Sequence, residues 1–90
     1  MNTILVSYDL NGPEKDYDKL LTKLKGYGTR WHHLDSFWLI KTDSTAEQVR
    51  DLLKPLIDEN DELLVIDVTG RAAAWTGITD RGSKWLRENL

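Results

Sequence analysis

Apolar residues recur along this chain in two rhythms, and the changes of rhythm mark out its elements. Thr3-Ile-Leu-Val-Ser-Tyr-Asp-Leu10 is a strand-like run that Asn11-Gly-Pro13 stops. Gly12-Pro13 is read as opening a helix, with proline in the first turn, where its missing N–H does no harm. Tyr17, Leu20, Leu21, Leu24 and Tyr27 fall on one helical stripe, which Gly26 and Gly28 end. Residues 29–34 and 37–41, parted by an Asp35-Ser36 turn signal, read as a hairpin rich in aromatic and β-branched residues. Ser44-Thr-Ala-Glu47 has capping-box spacing, with Ser44 as cap and Glu47 reaching back. Val49, Leu52, Leu53, Leu56 and Ile57 form the next helical stripe, and Pro55 within it bends or shortens the last turn. Asp58-Glu-Asn-Asp61 is an exit loop, and Glu62-Leu-Leu-Val-Ile-Asp-Val68 is the clearest strand, broken by Gly70. Arg71-Ala-Ala-Ala-Trp-Thr-Gly77 is taken as an extra strand, and residues 79–87, with Trp85 and Leu86, as a short closing helix.

This order predicts an α+β fold: a ferredoxin-like β-α-β-β-α-β sandwich with a C-terminal extra strand and short helix. Two helices cover one face of a four-stranded antiparallel sheet. The chain is one domain, 1–90, with a core over 1–70 and an extension over 71–90. Its 90 residues have room for a single core, burying about 60–65% of the unfolded surface.

Two-residue alternation puts Ile4, Val6 and Tyr8 on one side of the first strand and Leu5, Ser7 and Asp9 on the other. Leu63 and Val65 are assigned to the side of Leu5, Ser7 and Asp9, with Asp67 beside them. That face mixes apolar and acidic groups and is too apolar to stay in water. Self-association through it predicts a two-fold homodimer in which each Asp9 approaches its symmetry mate. Arg71 to Gly77 is expected to cross to the partner's sheet, because edge strands find pairs.

Composition narrows the setting. Hydrophobic residues make up 40% of the chain and charged residues 30%, as in an ordinary globular protein. No apolar run has the length of a membrane span, and Met1-Asn2-Thr3 lacks the basic start of a signal peptide. Without cysteine there is no disulfide framework or thiolate metal site. The expected compartment is the cytoplasm. A net charge of −3 argues against a strong general nucleic-acid binder. Charge is nonetheless uneven. Lys15, Lys19, Lys23, Lys25 and Arg30 gather within residues 14–30, whereas residues 58–67 carry only acids. The basic stripe, Lys15, Lys19, Lys23 and Arg30, is the candidate nucleic-acid contact, and a solvated helix face is its plainer reading.

Asp9 is the principal candidate for chemistry. An ionised carboxylate among Val, Ile, Leu and Tyr costs free energy unless it is paired, hydrated or bound to a cation. Its place at a strand end beside a loop suits metal binding or phosphate chemistry, and equally a helix-entry cap. Asp67, if it shares the face of Asp9, is a second oxygen ligand for a hard divalent ion such as Mg2+. His32 and His33 are adjacent, so on a strand they point to opposite faces and cannot ligate one ion together. The tryptophans Trp31, Trp38, Trp75 and Trp85 fit the core and a dimer interface better than a base-stacking platform. No base stands beside Ser7 or Ser36, so a serine nucleophile is not supported.

Tyr8-Asp9 closing the first strand, the helix ending in Tyr27-Gly28, Ser36-Phe37 in the hairpin, the residue 44–57 helix and the acidic loop after it carry a resemblance. In that order they are similar to the second CRISPR-associated protein and its superfamily, over roughly residues 3–70. Asn60 to Gly70 followed by Ala72-Ala-Ala-Trp75 looks closer to a side branch of small bacterial proteins labelled SinR-like. The helix-turn-helix which that label suggests is not found here. The resemblance implies a ferredoxin-fold homodimer associated with nucleic acid, DNA or RNA. Some members are described as metal-dependent nucleases, with the aspartate matching Asp9 on the cation. Others serve as a dimeric spacer between larger protein partners. The acidic balance, the tryptophan-rich hairpin and the extension beyond Gly70 depart from the CRISPR members. Three readings follow: a catalytically silent nucleic-acid-associated dimer, which the resemblance favours; a protein-interaction dimer without nucleic acid, which net acidity favours; and, behind both, a magnesium-dependent endonuclease built on Asp9.

Overall fold

Backbone pairing settles which of these runs are neighbours. The computed structural model describes residues 1–11, 17–34 and 36–90. The strands are β1 (Asn2–Asp9), β2 (Arg30–Trp31), β3 (Phe37–Thr42) and β4 (Glu62–Asp67); the helices are α1 (Asp18–Lys25), α2 (Ala46–Leu53) and α3 (Asp80–Asn89). The sheet is antiparallel with order β2-β3-β1-β4, the ferredoxin-like arrangement. The expected opening of α1 at Gly12-Pro13 lies outside the described residues.

One face of the sheet carries the main core. Val6 stands opposite Trp38 and Ile4 opposite Ile40 in the β1–β3 register. Leu20 and Leu24 from α1 and Val49 and Leu53 from α2 close over them, and all eight side chains are buried. Pro55 acts as its sequence position demands: α2 stops at Leu53 and a single 3-10 turn, Lys54–Leu56, follows. The capping box is shifted by one residue from the expected frame. Thr45, not Ser44, is the cap, accepting the N–H of Gln48 while the Gln48 amide oxygen accepts that of Thr45. Extended backbone is needed at the cap, and Thr45 supplies it at ψ 165°.

The second face differs from expectation in three ways. Val65 pairs with Val6 and Leu63 with Tyr8, so Leu63 and Val65 belong to the helix-covered face. Leu64 and Ile66, opposite Ser7 and Leu5, are the ones on the face of Asp9. Nor is that face bare: α3 lies on its β2–β3 half, where Leu86 packs with Trp31 and Leu39. The last turn of α3 is anchored by Lys41 and Thr3. The Asn89 carbonyl accepts from Thr3 Oγ1 at 2.6 Å and from Lys41 Nζ at 3.3 Å, which sets an ammonium against the negative end of the helix. The extra strand does not form within the chain. Arg71 donates its N–H to the Val68 carbonyl, and Gly70 takes φ +68°, a turn that sends residues 71–77 away from the β4 edge. These residues form a strap over an apolar cavity of 260 Å3 between the second face and α3.

Candidate functional site

Asp9 is exposed at the end of β1, where the chain leaves the sheet. Its opposite residue on β4 is Glu62. Directly opposed residues share a face, so the two carboxylates lie side by side on the second face. They line a shallow concavity of 430 Å3 together with Ser7, Tyr8, Leu63 and Leu64. Asp67 is not part of it. Asp67 stands opposite Ile4, on the other face of the sheet. Its carboxylate accepts both the hydroxyl and the N–H of Thr69, and these hydrogen bonds hold its pKa below the usual carboxylate value. The Thr69 hydroxyl oxygen in turn accepts the Thr3 N–H at 2.8 Å. Asp67 thus stitches the start of β1 to the end of β4, and the expectation that it shares a face with Asp9 is corrected. Among the described residues no group of three or more acidic or histidine side chains is placed to hold a metal ion.

Glu62 escaped the sequence reading because Leu63-Leu-Val-Ile66 is continuously apolar. Its parity is invisible until β4 is registered against β1. The signal that could have found Glu62 was the distance of Asp9 from Val6 and of Glu62 from Val65, equal and opposite in an antiparallel pair.

Asp61 is a second residue the sequence did not single out. Its carboxylate accepts the N–H of Asn11 at 2.7 Å, the N–H of Asp58 at 2.7 Å and the hydroxyl of Tyr17 at 2.9 Å. The acidic loop is therefore tied to the chain leaving Asp9 and to the entry of α1.

The basic candidates fall elsewhere. Lys19 and Lys23 are exposed on α1, one turn apart, while Leu20 and Leu24 face the core. Since α1 covers the face opposite Asp9, the lysine pair and the carboxylate pair lie on opposite sides of the sheet. Lys15 lies outside the described residues. Arg30, on β2, donates to the Tyr27 carbonyl at 3.2 Å and sits with Lys25 and His32 rather than with Lys19 and Lys23. His32 stacks on Trp38, with ring centroids 3.8 Å apart, while His33 tilts against Trp31 on the other face. Neither histidine lines the Asp9 concavity. Trp31 and Trp38 are buried, as core tryptophans; Trp75, 38% exposed, donates to the Ser83 hydroxyl and pins the strap to α3.

The β4–β1–β3–β2 sheet under two helices, with an aspartate ending β1, now stands beside comparison with known proteins. Residues 1–74 match the family described as CRISPR associated protein Cas2. The chain belongs to the Cas2 family. The match covers the whole ferredoxin-like core and the first part of the strap, and α3 lies outside the matched residues. No solved structure matches the chain. Among the described residues no helix is long and apolar enough to cross a membrane.

Proposed function

We propose that this Cas2-family chain works as a homodimeric, nucleic-acid-associated module whose role is structural rather than catalytic. Family membership over residues 1–74 carries the reading. The open half of the second face supports the dimer: Leu64 is 56% and Ile66 42% exposed on β4, an edge strand with no further strand beside it among the described residues. Burying such side chains against a second copy contributes about 1 kcal/mol or more each. The strap favours the same assembly. Gly70 and Gly77 bound it, both with positive φ, and three small alanines between them allow close backbone approach to a partner's β4 edge. Light scattering tests the dimer, with twice 10.4 kDa expected at micromolar concentration. A concentration-independent mass of 10.4 kDa would refute it. Native purification with analysis of co-purified DNA, RNA and protein tests the association, including that with a larger protein partner. Basic proteins alone would favour an interaction dimer docking through its acidic loop.

One observation favours the magnesium-dependent nuclease as second reading. Asp9 and Glu62 face each other across β1 and β4, and a two-fold axis nearby would add their symmetry mates. Magnesium there would activate water and neutralise the scissile phosphate.

A further inference from the structure

Two clefts adjoin along β2, the sheet edge remote from β4. One, of 390 Å3, is lined by Lys25, Arg30, His32 and Trp38. The other, of 260 Å3, lies between β2 and the start of α3, where Arg81, Gly82 and Trp85 close it. Arg30 and His32 belong to both. The joint groove holds Lys25, Arg30 and Arg81 with two imidazoles, and no carboxylate lines it among the described residues. In a chain of formal net charge −3 this concentration of cations is local and specific.

Two further features point to an anionic ligand. The first turn of α3 opens on the second cleft, capped by Thr79, whose hydroxyl accepts the Gly82 N–H; a helix N-terminus adds partial positive charge. Beside it is a buried donor, Trp31 Nε1, with no hydrogen-bond partner among the described residues, in a side chain only 6% exposed. A Cβ on Gly82 would lie 3.2 Å from that nitrogen, so glycine leaves the donor facing a lining position with no side chain over it. Buried donors are rarely left unmade, and an acceptor could reach this one only if the Ile78 methyl, 2.9 Å from the same position, gave way.

We propose that the β2 groove binds single-stranded nucleic acid, with phosphates on Arg30, Arg81 and Lys25 and an unpaired base against the half-buried Trp85 ring. The proposal rests on the nucleic-acid association put forward above and moves its contact surface from the α1 lysines to the β2 edge. A single strand is required because stacking on a ring that lies within a cleft needs a base free of its pairing partner. Cations on an edge strand also discourage pairing with foreign strands, and that role alone would show in self-association and not in binding.

The test uses the full chain and a labelled oligonucleotide of about 12 nucleotides, single-stranded and as a duplex of the same sequence. Anisotropy titrations between about 50 and 200 mM salt give affinity and its salt slope. The single strand is expected to bind more tightly than the duplex. Arg30→Ala/Arg81→Ala should weaken it by about tenfold or more and reduce the salt slope by about 1.4, at about 0.7 per phosphate contact. Lys19→Ala/Lys23→Ala should leave affinity within about twofold, since those lysines lie outside the groove. Circular dichroism and melting curves check that each variant is folded. A preference for duplex, or unchanged binding by Arg30→Ala/Arg81→Ala with altered oligomeric state, would overturn the proposal. Loss of binding in the α1 variant alone would also overturn it, while leaving nucleic-acid association intact. Absence of binding to either oligonucleotide by the native chain removes both.

Discussion

Replacing Gly82 by alanine sets two opposed effects against each other. Glycine within a helix is less favourable than alanine by about 1 kcal/mol, so propensity alone predicts a more stable protein. The structure predicts the reverse. An added Cβ would stand 2.9 Å from Ile78 Cγ2 and 3.2 Å from both Thr79 Oγ1 and Trp31 Nε1. The isoleucine methyl is attached at a branched Cβ and has little freedom, and the indole is buried against Leu39 and Leu86. Overpacking of this kind costs about 1–3 kcal/mol. The difference is a net loss of about 1 kcal/mol, which lowers the melting temperature of a domain this size by about 4–8 °C. Urea melts monitored by tryptophan fluorescence give the change at constant m-value. A double-mutant cycle with Trp31→Phe locates the effect. Phenylalanine lacks the Nε1 atom but leaves the Ile78 methyl in place, so Gly82→Ala should cost less in that background without becoming stabilising, with a coupling of about 0.5 kcal/mol or more. A higher melting temperature for Gly82→Ala alone would refute the close packing of α3 on β2.

Three other outcomes are expected elsewhere in the fold. Leu53→Ala, at a fully buried position between α2 and the sheet, should cost about 2–5 kcal/mol in urea melts. Thr45→Ala should cost about 1 kcal/mol, and Ser44→Ala much less, because only Thr45 caps α2. Asp67 has a folded pKa depressed below its ordinary 3.8 by Thr69. Its contribution to stability is therefore present above pH 3.8 and lost as pH falls through the folded value. The stability difference between native and Asp67→Asn protein should hold at neutral pH and vanish on acidification, as acid titration by circular dichroism would show.

Legibility from sequence tracked how local each determinant is. The stripes of α1 and α2 were readable because Leu20, Leu24, Val49 and Leu53 repeat within single helices. Pro55 ended α2 through steric effects that need no tertiary partner. The capping frame slipped because Ser44/Glu47 and Thr45/Gln48 both satisfy the motif, and only the backbone of the preceding loop chooses between them. The facing of β4 was misassigned because four consecutive apolar residues carry no alternation. The helix at residues 80–89 was foreseen as an element, yet its docking was not, since Lys41, Thr3 and Gly82 reveal their roles only once α3 meets the sheet. The same holds for both acidic and basic sites. Glu62 joins Asp9 through register, and Arg30 joins Arg81 through the packing of α3 on β2.

Asp9 decides between a silent module and an enzyme, and its pairing with Glu62 makes the test two-sided. Like charges directly opposed on a sheet destabilise it by about 0.2–1 kcal/mol. In chelator, Asp9→Asn should therefore melt slightly above the native protein. A divalent cation bound between the carboxylates would reverse that order. Magnesium well above its dissociation constant would stabilise the native assembly by about 1–3 kcal/mol through mass action. Asp9→Asn and Glu62→Gln would each lose most of that gain, together with any phosphodiesterase activity. Thermal melts of the three proteins, with magnesium and with chelator, separate the cases. If magnesium shifts all three equally, no cation is held at Asp9, and the case for catalysis goes with it. If Asp9→Asn is the less stable protein in chelator, Asp9 is a strand-end cap, and repulsion from Glu62 is too well hydrated to matter. A magnesium response confined to the native protein would instead bring the nuclease reading ahead of the structural one.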